Sequence, residues 1–158
     1  MKTVEGFSLS SHQKRIWELQ AVYNIPFYNH LTLKIQGKLS IPDLMDCFIN
    51  TINQYEILRS RLQKVEGMEY PIQVILEKAY FSFSYNSNLQ DEEELQVEAL
   101  DIVRQKLQAE NGGTVHINIS KISEYEHGLN IYGLSLNTDF ISLQLIVNHA
   151  FKLYTQKA

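Results

Sequence analysis

At 158 residues, 44% hydrophobic and 20% charged, the chain is long enough for one ordinary core and too short for two, so one domain over residues 1–158 is expected. A formal net charge of −4 supplies no general positive field, and neither nucleic acid nor an anionic membrane is an expected partner. The single Cys47 excludes an internal disulfide, and histidines at 12, 30, 116, 127 and 149 lack the short paired spacing of zinc sites, so no metal and no cofactor is expected.

The N-terminal MKTVEGFSLS has no signal-peptide core, and no apolar run approaches about 18 residues, which points to a soluble, cytoplasmic protein. Ser10 and Gln13 fit a capping box opening a first helix, with Ile16, Leu19 and Tyr23 continuing one face. In NHLTLKIQG, Leu31, Leu33 and Ile35 alternate with His30, Thr32 and Lys34, the period of a half-buried strand closed by Gly37. Ser40 then caps a second helix with Pro42 in its first turn and a buried stripe of Leu44, Phe48, Ile52 and Tyr55. Cys47 lies inside that pattern as a small buried residue.

ILRSRLQKV and YPIQVIL read as strands flanking a turn at Glu66-Gly67, and AYFSFSYN as a short aromatic edge strand. The acidic run Asp91 to Glu94 opens a further helix to about Ala109 as a solvated face, stopped by the NGG at 111–113. Two strands, TVHINISKI and GLNIYGLSL, follow, separated by SEYEH. His127 thus precedes a strand, as turn polarity. The last helix carries Leu143, Val147, Ala150 and Tyr154 on one side, with His149 packed or half-exposed. The pattern gives an α/β two-layer sandwich on a mostly antiparallel, mixed sheet.

No Gly-rich phosphate loop, nucleophile elbow or paired-cysteine set is present. Three stretches carry more. LSSHQKRIWELQ, through Ser10, Gln13, Arg15, Trp17 and Leu19, resembles the opening motif of nonribosomal peptide synthetase condensation domains, with His12 in place of the usual Ala. NQYEILRSRLQKVEGMEYPIQVI resembles the next family motif through Glu56, Leu58 and Arg59; Gln54 and Tyr55 stand for its Arg-His and Ser60 for its Thr. HGLNIYGLSLNTDFISLQLIVNHAFKLY is similar to the strand, His-His-x-x-x-Asp-Gly loop and following helix.

The resemblance implies the N-terminal half of a condensation domain, a chloramphenicol-acetyltransferase-like fold built from two such halves. Setting Asp139 on the motif's Asp puts Leu134 and Ser135 on its two histidines and Phe140 on its Gly. The second histidine is the family's catalytic residue, assisting attack of the acceptor amine on a thioester. A serine hydroxyl does not replace it as a base near neutral pH. Phe140 would further obstruct the close approach that Gly allows. Asp139 remains as a helix cap or as a partner of Arg59. Trp17 is expected in the core or an interface.

The reading is a degenerate, non-catalytic condensation-like domain, an interaction or structural module in peptide natural-product biosynthesis. Its expected partners are adjoining adenylation and carrier domains, or a second copy of the chain, through the face near Ser135, Asn137 and Phe140. Two alternatives stand beside it: half of an acyltransferase site completed by another chain, and a docking platform for a tailoring enzyme.

Overall fold

The computed structural model describes residues 6–87, 101, 105–107 and 113–157. In chain order they form β1 (Gly6–Ser8), α1 (Ser11–Tyr23), β2 (Tyr28–Gln36), α2 (Ile41–Gln54), a 3-10 turn (Glu56–Arg59), β3 (Ser60–Gln63), β4 (Ile72–Ile75), β5 (Tyr80–Asn86), β6 (Gly113–Ser123), β7 (Glu126–Leu134) and α3 (Phe140–Lys157). The expected acidic helix lies almost wholly outside the described residues, although Asp101, Gln105 and Lys106 are helical.

The strands divide into two sheets, ordered β1-β4-β3 and β2-β7-β6-β5. All pairings are antiparallel except β5 with β6, which is parallel. Leu31, Leu33 and Ile35 of β2, Leu129 and Ile131 of β7, and Val115, Ile117 and Ile119 of β6 turn one face of the larger sheet toward α2 and α3. Leu44, Cys47, Phe48 and Ile52 of α2 meet Leu143, Ile146, Val147 and Ala150 of α3 on that face. Burying each larger apolar side chain contributes about 1.5–3 kcal/mol, which makes this layer the main source of stability.

Alternation along the strands is therefore as expected, while several details differ for local reasons. The Ser10–Gln13 capping box forms, but α1 buries Ile16 and leaves Leu19 and Tyr23 exposed. Trp17 is half-buried beside Leu9, Ile16, Leu62 and Leu136, with the Lys64 ammonium 5.9 Å from its ring centre. Ser40 sits at the N-cap of α2, yet its hydroxyl donates to the Asp43 carboxylate rather than accepting from a helix amide. Tyr55 lies beyond the helix and is exposed. Residues 57–59 take the 3-10 turn, so the strand expected there starts only at Ser60.

The SEYEH connection is shorter than its composition suggests, because β6 and β7 run on to Ser123 and Glu126. His127 therefore belongs to β7, buried between Ile35 and Lys121, and burial lowers its pKa. On the sheet face away from α2 and α3, Tyr132 stacks on His30 (centroids 4.3 Å apart, 3° between planes) and lies 6.1 Å from the ring of buried His116. His116 Nδ1 is 2.6 Å from Ser82 Oγ. Desolvation, with Lys106 adding to it, pushes the His116 pKa down to about 4.

Candidate functional site

Residues 135–139 connect β7 to α3, and their conformation is fixed from four sides. Within the connection, the Asn137 and Thr138 amides and the Thr138 hydroxyl all donate to Leu134 O. Thr138 packs so close to Gly133 that a Cβ there would overlap its hydroxyl and sit 2.9 Å from Leu143 Cδ2, which is why β7 needs a glycine at that point. From β2, Asn29 Nδ2 donates to Thr138 O (2.7 Å) and Ser135 Oγ (3.2 Å). From α1, the Gln13 side chain closes its capping box and donates to Leu136 O at 2.9 Å.

The fourth anchor comes from the smaller sheet. Asn137 Nδ2 donates to Ser60 Oγ (2.8 Å) and Ile57 O (3.1 Å). The buried Ser60 hydroxyl donates to Ile57 O and also accepts from Gln73 Nε2 at 2.9 Å. One hydroxyl thus joins the connection, the 3-10 turn and β4, at the seam between the two sheets.

Asp139 caps α3, its Oδ1 accepting from the Ser142 amide (2.7 Å) and hydroxyl (2.6 Å). Those two bonds, the hydroxyl's first, hold its carboxyl below the usual carboxylate range. Of the two expected roles for Asp139, the cap is the one formed. Arg59 is not its partner: Arg59 Nη1 donates to Leu76 O at 2.6 Å and Nη2 lies 3.9 Å from Glu56. The separation follows from the 3-10 turn, which directs the guanidinium along the end of β4.

The other motif positions fall as follows. Leu134 is fully buried with Leu107, Tyr132 and Tyr28. Ser135 is half-buried, with its amide on Phe27 O and its hydroxyl on Asn29. Phe140 opens α3 in ordinary backbone geometry, since the positive-φ non-glycine among the described residues is Asn24, and its ring is 47% exposed. Leu58 is buried, whereas Arg15 and Glu56 point to solvent.

None of the five histidines is a hydrogen-bond partner of Ser135. His30 bonds Thr32 and Asn130, His116 faces Ser82 and Ser84, His149 Nδ1 lies 3.1 Å from the Tyr55 hydroxyl, His127 is buried in β7, and His12 is on α1. Among the described residues no cluster of three His, Cys, Asp or Glu side chains offers a metal site.

Beside the connection lies an apolar cavity of about 110 Å³ lined by Tyr55, Ile57, Leu58, Asn137, Ser142, Leu145 and Ile146. Leu145 is 59% exposed, and Ile141 equally so on the adjoining first turn of α3 with Phe140. Asn137 belongs to this surface, whereas Ser135 turns toward Asn29 and does not line the cavity.

A model of the condensation domain matches residues 5–158. The chain belongs to the condensation domain family. Solved structures agree on the fold. The starter condensation domain of rhizomide synthetase superimposes with a TM-score of 0.79 at 16% identity, over 95% of this chain and 37% of that one. The first condensation domain of the calcium-dependent antibiotic synthetase, in complex with a substrate analogue, gives 0.78 at 18%, over 92% and 36%. The complex of the X-domain and OxyB from teicoplanin biosynthesis gives 0.75 at 18%, over 98% and 33%. No curated protein is detectably similar in sequence.

This condensation-type chain therefore spans 33–37% of the length of these solved relatives. Its fold is the chloramphenicol-acetyltransferase-like one that the motifs imply, shared with the condensation domains of a rhizomide synthetase and of a polyketide synthase. No described helix is long and apolar enough to cross a membrane. Asn29 lies outside every motif stretch, and Gln73 lies within the second without being singled out there; the polar network becomes visible only once β2, β4 and the connection are brought together.

Proposed function

We propose that this chain is a non-catalytic part of a condensation domain that works by contact, as an interaction or structural module of a peptide synthetase. The observation that carries the reading is Ser135. It stands at the position the family motif gives to its catalytic histidine, and its hydroxyl accepts from an amide, Asn29 Nδ2, rather than lying against an imidazole. Among the described residues a hydroxyl so placed has no hydrogen-bonded base to activate it, and it is itself too weak a base to take a proton from an acceptor amine. Leu134, at the position of the motif's first histidine, is occupied with packing.

What the connection still supports is a rigid, partly apolar surface. Tyr55, Ile57, Phe140, Ile141 and Leu145 are exposed, with Asn137 and Ser142 supplying polar edges to the cavity they adjoin. Apolar groups gathered around a shallow pocket with polar edges suit a protein partner. The partner expected is the adjoining synthetase region, with its adenylation and carrier domains. A tailoring enzyme is the second reading, favoured by the fold likeness to an X-domain solved in complex with OxyB.

Co-purification tests the proposal. The intact chain should retain the adenylation and carrier region encoded beside it, and Leu145→Glu or Phe140→Glu, both at exposed positions, should abolish retention without changing the thermal midpoint. Retention unaffected by either substitution would remove this surface from the account.

A further inference from the structure

The larger sheet has two edges, and they differ. At β5 the register with β6 shifts between Tyr80 and Phe81, an irregularity of the kind that blunts an edge. β2 has no such device. Its nine residues pair with β7 without a shift, contain no proline, and carry Lys34 as their one formal charge. Among the described residues β7 is its single strand partner. The smaller sheet, by contrast, ends in short strands of three and four residues. Among the described residues β2 is thus the longer and more regular edge, guarded only by Lys34, whose ammonium is paired with Glu126 of β7 at 2.8 Å, and such an edge is a template for pairing with another chain.

The direction of its free backbone groups follows from its two ends. Phe27 O accepts from Ser135 N at 2.9 Å, and Gly37 N donates to Tyr125 O at 2.7 Å, each continuing the β2–β7 register. Odd-numbered residues therefore exchange hydrogen bonds with β7, and the even-numbered Tyr28, His30, Thr32, Lys34 and Gln36 direct N–H and C=O outward.

We infer that this edge is a homodimer interface, in which β2 pairs antiparallel with β2 of a second copy about a two-fold axis through Leu33. That register places outward-facing Thr32 against Lys34 of the other copy and His30 against Gln36, and these even-numbered pairs exchange N–H···O bonds in both directions. On the helix side, Leu31 meets Ile35 and Leu33 meets Leu33. All three are half-buried at the rim of the core and gain cover. Sliding the register so that Thr32 faces itself keeps the backbone bonds but sets His30 against Lys34 twice, so side-chain chemistry selects the axis at Leu33.

The alternating segment HLTLKIQ is close to self-complementary about its centre, which is what commits the edge to a second copy rather than to an unrelated strand. A contact of this length is at the small end of protein interfaces, so a micromolar dimer is expected. This inference is independent of the missing histidine and of the apolar surface beside the connection.

Sedimentation equilibrium of the intact chain over a concentration series tests it. The wild type should show reversible dimerisation. Thr32→Pro removes an outward N–H without touching the β7 ladder and should leave a monomer. Thr32→Lys, which faces Lys34 of the other copy twice by symmetry, should weaken the dimer about fivefold, and Thr32→Glu should tighten it by a similar factor. Both charge variants lose the same Thr32 hydroxyl bonds to His30 and Asn130 and sit beside the same Lys34–Glu126 pair of their own chain in monomer and dimer alike, so a difference in dimerisation between them reads the Lys34 of the other copy. A wild-type chain monomeric throughout the series, or a dimer indifferent to the sign of charge at residue 32, would overturn the inference. Should Thr32→Pro fail to fold, the charge pair decides alone.

Discussion

Replacing Ser60 by alanine removes an oxygen that is 1% exposed and serves three neighbours. Gln73 Nε2, on a residue that is 8% exposed, loses its acceptor at 2.9 Å. Ile57 O loses the Ser60 donor, and Asn137 Nδ2 loses its shorter bond but keeps Ile57 O at 3.1 Å. A buried donor left without a partner costs about 1–3 kcal/mol, whereas a donor with a second acceptor loses little. The expected destabilisation is therefore about 2–3 kcal/mol, dominated by Gln73, or a fall in thermal midpoint on the order of 5–10 °C for a chain of this size. Denaturant unfolding measures it, and a Ser60→Ala/Gln73→Leu pair should cost less than the two changes added, because the orphaned amide is gone. A loss under about 0.5 kcal/mol for Ser60→Ala would show that the seam between the sheets is held by something other than this hydroxyl.

Gly133→Ala should destabilise by about 1–3 kcal/mol, because Thr138 is buried, bonded to Leu134 O and cannot retreat from the added methyl; calorimetry reads the loss. Arg59→Ala should cost about 2 kcal/mol through its bond to Leu76 O, and a double-mutant cycle with Asp139→Ala should give no coupling, since the two side chains share no partner. Acid should also weaken the fold through His116. Its folded pKa of about 4 lies below its ordinary 6.5, so between those values the unfolded chain binds a proton that the folded chain does not, and stability falls as pH drops through that window. His127, lowered in the same direction, adds to the slope; His116→Gln should flatten it in part, as seen in denaturation midpoints at stepped pH.

Much of this was legible from local pattern. The two-residue alternation of β2 and the apolar stripe of α2 named the faces that meet in the core, and the Ser10–Gln13 spacing gave the cap of α1. The same logic failed where tertiary contacts decide. Leu19 and Tyr23 repeat at helical spacing yet find no layer to pack on, and Ser40, although at the cap position, had the Asp43 carboxylate within reach. The site divides in the same way. Asp139 as a cap needed only Ser142 three residues on, while Asn29 meets the connection across more than a hundred residues and Gln73 reaches it only through the Ser60 hydroxyl, so neither gives a local signal. The Arg59–Asp139 pairing, taken over from the resemblance, assumed that the guanidinium turns toward α3; the 3-10 turn sends it to Leu76 instead.

The central claim is that this condensation domain segment makes contacts and not bonds. Incubating the purified chain with two carrier proteins, one loaded with a donor aminoacyl thioester and one with an acceptor, and following dipeptidyl-carrier formation by mass spectrometry tests it directly. The account predicts no product above the uncatalysed background, with or without Ser135→Ala. Dipeptide formation by the wild-type chain that disappears in Ser135→Ala would contradict it, and would return Ser135 to catalysis.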